Sequence, residues 1–385
     1  MLRSVYNEDH EAFRSMIRDF IESEVVPVHD QWEKQGHVDR DFYLKLGELG
    51  VLGINVPEEY GGAGEESYKF NAVITEEIAR AGVSFGAWGI HVNLVRPYLL
   101  AFASDEQKKR WMPKFVSGEM MGALAMTEPG TGSDLAGITT TAKLSADGTH
   151  YVLNGSKTFI SGGVLADRVL VVARTAPATP EDRRAGLSIL FVDTKSEGYS
   201  IGKKLDKIGL KTSDTAELAF QDVKVPVEDL LGEEGQGFKY LTHNLVEERL
   251  AIVVGSTAQA GAAIRFAIDY VKERKAFGQP VSAFQNTKFV LADCEAEYQA
   301  AQTMTDRAVE LFDQGELTVA DAAAAKLFTT EAAGRIIDKC LQLHGGYGYI
   351  NEYPIARLYA DTRVSRLYGG TSEIMRTIVA KSLGL

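Results

Sequence analysis

Cysteine is scarce in this 385-residue chain: Cys294 and Cys340 stand far apart and form no C-x-x-C pair. A disulfide framework and a thiolate zinc site are both excluded, and a reducing compartment suits the chain. The seven histidines are scattered and no H-E-x-x-H occurs, so no metal site is expected. No stretch reads as the roughly 18 uninterrupted apolar residues of a membrane span. The opening MLRSVYNEDHEAF turns acidic at once and has no apolar core, which argues against a secretory signal. The sequence-level expectation is a cytoplasmic protein, or a processed mitochondrial matrix protein. Positive charge is also short. With 41 Lys+Arg against 53 Asp+Glu, the net charge is −12 and argues against nucleic acid or an anionic membrane as partner. No G-x-G-x-x-G, no G-x-x-x-x-G-K-[ST] and no G-x-S-x-G is present, which removes a nicotinamide Rossmann unit, a P-loop and a nucleophile elbow.

What remains is an apolar content of 45%, enough for a large core, arranged with two different periods. Near the N-terminus Phe13, Ile17, Phe20 and Ile21 repeat at helical spacing, and Pro27 is placed to end that helix. A helix starting near Ser67 follows, and then one capped by Ser104 with acidic residues in its first turn. From about Met121 the character changes. HYVLNG, RVLVVAR, LSILFVD and AELAFQDVKV are short β-branched runs bounded by turn residues, which predicts strands. Residues 176–184 read as a surface loop. Beyond about Gly235 helices return, predicted over Phe238 to Glu273, Ala283 to Gln314, Thr318 to His344 and Ser372 to Ser382. The division is therefore helical over 1–120, β over 121–232 and helical over 233–385, an α+β fold.

Three segments are not explained by core or surface needs. MTEPGTGSD (Met126 to Asp134) is a kinked loop with exposed N–H groups and two hydroxyls, Thr127 and Ser133, able to bond a planar heterocycle or an anion. A plain crossover turn is the simpler reading of its composition. QLHGGYGY places Gly345 and Gly346 at a helix end, a natural stop that also admits close approach of a ligand. YGGTSEIMR puts Gly369 and Gly370 before a helix N-terminus that can receive negative charge. Among the acidic residues Glu248 is notable. It lies i+7 from Leu241, i+3 from Leu245 and i−4 from Ile252, on an apolar line, whereas Glu247 follows Tyr240 and Asn244. A carboxylate there is costly unless neutral or paired, which suggests a function; a salt-bridged structural Glu is the competing reading.

Taken together with RKAFGQP (Arg274 to Pro280), these motifs resemble the acyl-CoA dehydrogenase family of flavoenzymes over essentially the whole chain, with the long-chain and isovaleryl-type subgroup as the best pattern. The resemblance implies an N-terminal helical domain, a middle β-domain and a C-terminal four-helix bundle. It implies α,β-dehydrogenation of an acyl-CoA thioester to a trans-2-enoyl-CoA with FAD as cofactor. Electrons would go to an electron-transfer flavoprotein, and the active unit would be a homotetramer, a dimer of dimers. Many members carry the catalytic Glu where this chain has Gly369. The subgroup instead places it before an Arg on the first C-terminal helix, which makes Glu248, next to Arg249, the catalytic base. By the same resemblance Leu124, Met126, Thr127, Gly132, Ser133, Phe159 and Ser161 would contact the flavin, Phe159 standing where many members have Trp. Arg274, Phe277, Gln285, Gln342, Gly345 and Gly346 would hold the FAD adenine and pyrophosphate from two subunits, with Thr371 and Glu373 completing the site. Ser133, Arg249, Gly369 and Gly370 would meet the acyl-CoA, Arg249 near its adenosine end, Gly369 through its N–H on the thioester carbonyl. Where many members have an Asp three residues before that Arg, this chain has Val246. Ile90, Val92 and Leu99 are candidates for the acyl-tail pocket. Two other outcomes share the resemblance: an acyl-CoA oxidase on the same fold, and a flavin-binding relative without catalysis.

Overall fold

Asn7 opens the first helix, α1 (Glu8–Phe20), with a reciprocal cap: its side chain accepts from the His10 N–H while the His10 ring accepts from the Asn7 N–H. These and all other details come from a computed structural model that describes residues 3–385. Pro27 does interrupt this helix, as expected. The turns before it widen into a π-helical segment, Ile21–Val25, and the chain then enters α2 (His29–Gln35) and α3 (Arg40–Glu48). Next come α4 (Lys69–Ala81), the single turn α5 (Trp88–Ile90), α6 (Arg96–Phe102) and α7 (Asp105–Val116). Ser104 caps α7 through its Oγ, which accepts from the Gln107 N–H, and the acidic first turn complements the helix dipole.

The middle region holds β1 (Gly122–Ala125), β2 (Thr141–Leu144), β3 (His150–Ser161), β4 (Arg168–Arg174), β5 (Leu187–Asp193), β6 (Tyr199–Lys204) and β7 (Thr215–Pro226). They form one mixed sheet in the order β1-β4-β2-β3-β7-β6, with β5 pairing β4. β1 runs parallel to β4, and the β3/β7 and β4/β5 pairs are antiparallel. The four strands expected from β-branched runs all occur. β1, β2 and β6 carry little alternation and emerge only from pairing.

After the sheet, α8 (Gly237–Glu273) is the spine of the C-terminal domain, followed by the short hairpin β8 (Lys275–Ala276) and β9 (Gln279–Pro280). The domain is completed by α9 (Gln285–Asp313), α10 (Val319–His344), α11 (Pro354–Thr362) and α12 (Ser372–Ser382). Contrary to the expectation of no apolar run of membrane length, α8 is long and apolar enough to cross a membrane by length and composition. More than half of its most apolar stretch is buried inside the protein, packed by α4, α9 and α10, so its apolar surface is used as core. At its N-terminal end Phe238, Tyr240 and Leu241 join a cluster with Leu124 and Met126, and the helix contacts β5 of the sheet. This contact brings the middle and C-terminal domains together at the candidate site.

Candidate active site

Glu248 is 7% exposed on the inner face of α8. Burial pushes its carboxyl above the ordinary range; the charges of Arg249 and then Lys326 oppose that rise. Among the described residues it has no hydrogen-bond or ion-pair partner. Glu247 differs, because the Arg96 guanidinium donates to it directly. Adjacent residues on one helix thus take opposite roles: Glu247 is neutralised by a cation and Glu248 is held apolar and free.

Gly369 faces this carboxylate. A Cβ built on Gly369 would clash with Ile252 Cδ1 and lie 3.4 Å from Lys326 Cε and 3.5 Å from Glu248 Oε1. Its φ of 63° also lies in the left-handed region that favours glycine. The side chain missing from position 369 and the carboxylate supplied by α8 therefore point at the same small volume. Gly369→Ala is expected to displace the turn and lower turnover at least about tenfold with flavin content unchanged, read by steady-state kinetics on matched holoenzyme. Gly370, at φ 90°, continues the turn, and Thr371 then caps α12 with its Oγ1 accepting from the Ile374 N–H. Tyr98 is buried near Glu248, while Tyr368 on the turn is partly exposed; desolvation of its hydroxyl, with the charges of Asp361 and Glu248, pushes that hydroxyl up to about 12. Arg249 is 2% exposed, with its Nε and Nη1 lacking hydrogen-bond partners. It lies in the interior beside Glu248 rather than on a rim, with two donors left for a ligand.

On the sheet side, β1 ends in the Met126–Asp134 loop, which is folded tightly by paired Glu128 and Thr131 backbone bonds of 2.9 and 3.0 Å. Thr158 N–H donates to the Thr127 carbonyl at 2.9 Å, which joins the loop to β3 where the β3/β7 register shifts. That irregularity turns Phe159 outward with φ 59° and 68% exposure, while Ser161 lies at the end of the strand, its Oγ 3.3 Å from Thr215 Oγ1. Around Gly132 a Cβ would touch nothing within 4 Å, and Ser133 is exposed beside it. An exposed aromatic face next to backbone carbonyls, hydroxyls and open glycines fits a planar heterocycle.

Beneath the loop lies a feature the residue pattern did not reveal. Lys157 is fully buried, and its Nζ donates to Glu128 at 2.9 Å and to the Met126 carbonyl at 3.0 Å. Glu128 also accepts from Thr139 N, Thr139 Oγ1 and Thr140 N. Burial raises the Glu128 carboxyl, but the bond from Thr140 and the Lys157 charge outweigh this and hold it at about 2. The Lys directly before the TFISGG segment was the available signal.

The remaining expected residues form a separate group. Arg274 lies over the Tyr347 ring at 5.5 Å, and the Phe277 and Phe284 rings meet at 6.2 Å, which gathers Arg274, Phe277, Gln285, Gln342, Gly345 and Gly346 at the far end of α8. Phe277 is 96% exposed, and a Cβ on Gly345 or Gly346 would again touch nothing. From Glu248 to this end of α8 is 26 residues, or about 39 Å of helix. Glu373 is exposed on α12 beside Arg376. Val92 and Leu99 lie in core clusters at 1% and 0% exposure.

Comparison with known proteins matches this arrangement. Family models described as the acyl-CoA dehydrogenase N-terminal, middle and C-terminal domains match residues 7–119, 123–223 and 235–384. The mitochondrial long-chain specific acyl-CoA dehydrogenase of Sus scrofa is 41% identical over 382 residues, covering 99% of this chain and 88% of its own length. The crystal structure of an acyl-CoA dehydrogenase from Geobacillus kaustophilus superposes with a TM-score of 0.96 at 43% identity, covering 100% of both chains. A structure of acyl-CoA dehydrogenase complexed with FAD from Bacillus anthracis superposes with a TM-score of 0.90 at 33% identity, covering 98% of this chain and 67% of the other. With all three domains matched in order along its length, the protein belongs to the acyl-CoA dehydrogenase family.

Proposed function

We propose that this protein dehydrogenates a long- or branched-chain acyl-CoA between its α and β carbons, with Glu248 as the base. The observation that carries this reading is the unpaired, buried Glu248 carboxylate 3.5 Å from the point where a side chain on Gly369 would begin. FAD is the family cofactor, and when bound it supplies the acceptor for the β-hydrogen, which leaves as hydride. Glu248 takes the α-proton; its apolar surroundings raise its basicity toward a weakly acidic C–H. The Gly369 N–H donates to the thioester carbonyl and stabilises the developing enolate, a role that needs no side chain. Leu124, Met126, Thr127, Gly132, Ser133, Phe159 and Ser161 hold the isoalloxazine, and Arg249 uses its free N–H groups on the acyl-CoA. The product is the trans-2-enoyl-CoA, as in fatty acid β-oxidation.

Arg274, Phe277, Gln285, Gln342, Gly345 and Gly346 take the adenine and pyrophosphate of the FAD bound mainly by another subunit, with Thr371 and Glu373 near it. The about 39 Å of α8 between Glu248 and Arg274 supports a site completed by a second copy of the chain, and a homotetramer is the assembly proposed. Arg274→Glu is expected to lower FAD occupancy about tenfold and weaken assembly together, read by flavin absorbance across a size-exclusion profile. A monomer that keeps FAD tightly would contradict the shared site. An electron-transfer flavoprotein is the proposed acceptor, and the cytoplasm or mitochondrial matrix suits the buried thiols of Cys294 and Cys340.

The direct test is anaerobic mixing of the oxidised holoenzyme with straight and branched acyl-CoAs while following the flavin band near ~450 nm. Bleaching with long or branched chains, and reoxidation by electron-transfer flavoprotein faster than by air, is the expected result. No bleaching with any acyl-CoA despite bound FAD would overturn the reading.

A further inference from the structure

Lys326 is a buried cation with no carboxylate in direct contact among the described residues. It sits in α10 at 1% exposure, and its Nζ donates to the Ser365 carbonyl at 3.1 Å and to the Gly370 carbonyl at 2.8 Å. Those two carbonyls bracket the turn that carries Tyr368 and Gly369. The turn needs an external tie, since Gly369 and Gly370 both adopt left-handed backbone and its stem approaches Gly369 closely. A Cβ at Gly369 would stand 3.4 Å from Lys326 Cε and 3.5 Å from Glu248 Oε1, so the lysine stem and the carboxylate border the same point.

The groups facing Glu248 come from four elements. They are Arg249 on α8, Lys326 on α10, and the neutral hydroxyls of Tyr98 on α6 and Tyr368 on the turn before α12. Only the two cations favour the charged carboxylate. Burial first and then the Arg249 charge push the Lys326 ammonium down, against the opposing charge of Glu248, to about 8. At neutral pH the ammonium is therefore retained.

We propose that Lys326 is a positioning residue for the dehydrogenation: it ties down the turn that presents the Gly369 N–H, and its charge keeps Glu248 in the proton-accepting form. This rests on Glu248 being the base. A plain packing role predicts only lost stability or lost flavin, so the two differ in pH behaviour.

The test is the limiting rate of anaerobic flavin reduction, per bound flavin, across pH in wild-type holoenzyme, Lys326→Met and Lys326→Gln, with an acyl-CoA that bleaches the wild type. Removing the cation raises the carboxyl pKa, so the acidic limb should move up by about one unit in both variants. At neutral pH the Lys326→Met rate should fall at least about tenfold, with half-saturating acyl-CoA within about threefold of wild type. Lys326→Gln keeps a donor without charge and should regain part of the rate but not the limb. An unmoved limb in either variant, or a loss explained wholly by missing flavin, would overturn the proposal. If one substitution prevents folding, the other reads the same limb. The base assignment fails separately, through an acidic limb that persists in Glu248→Gln.

Discussion

Glu248→Gln is expected to leave the holoenzyme folded and fully flavinated while slowing anaerobic flavin reduction about a thousandfold, within the ~10²–10⁴ range for loss of a general base. Glutamine keeps the shape and cannot accept the proton. No hydrogen bond or ion pair ends with the substitution, because Glu248 has no such partner among the described residues. The amide even removes a buried charge, so urea unfolding should show equal or greater stability. Wild-type reduction should fall as pH drops through the raised Glu248 pKa, since the protonated carboxyl cannot act as base. Near-normal reduction in Glu248→Gln, with acyl-CoA bound, would falsify the assignment. Glu247→Gln makes the contrast: it releases Arg96 from its partner, so the expected loss is in stability rather than in the reductive step.

The second large effect is on stability. Lys157→Met should cost about 3–5 kcal/mol, because it leaves Glu128 charged and buried without its cation. Equilibrium unfolding in urea, with Trp111 packed on Phe191 of β5 as a fluorescence reporter, measures this. Flavin affinity should fall as well, since the lysine also anchors the Met126 carbonyl at the start of the loop. The double variant Glu128→Leu, Lys157→Met should recover only part of the loss. Glu128 also accepts from the Thr139 and Thr140 N–H groups, and each donor left buried and unpaired costs about 1–3 kcal/mol. Acid acts on the same pair. The folded Glu128 pKa, about 2, lies below its unfolded value of 4.5. Its stabilisation is thus fully present above the unfolded value and is lost as pH falls from there toward about 2. In Glu128→Gln that slope should flatten, and an unchanged slope would assign acid lability to other carboxylates.

Local pattern alone determined much of this protein. The limits of α8 and α12, the Ser104 cap and the β-branched strands follow from residues within a few positions of one another. The same holds for Glu248, since a helical period places it beside Leu241 and Ile252 whatever surrounds the helix. Tertiary structure alone decided the rest. Lys157 finds its carboxylate 29 residues away and Lys326 its carbonyl 44 residues away, and no short-range period encodes such pairings. The period separates Glu248 from Glu247 but does not say which cation each one meets. Only the packing of α6 against α8 gives Glu247 the directly bonded Arg96, while Glu248 is left without a direct partner among the described residues. The 37 residues of α8 likewise set Arg274 about 39 Å along the helix from Glu248. Period and capping are properties of a segment, whereas a buried charge is decided by whichever distant element arrives beside it.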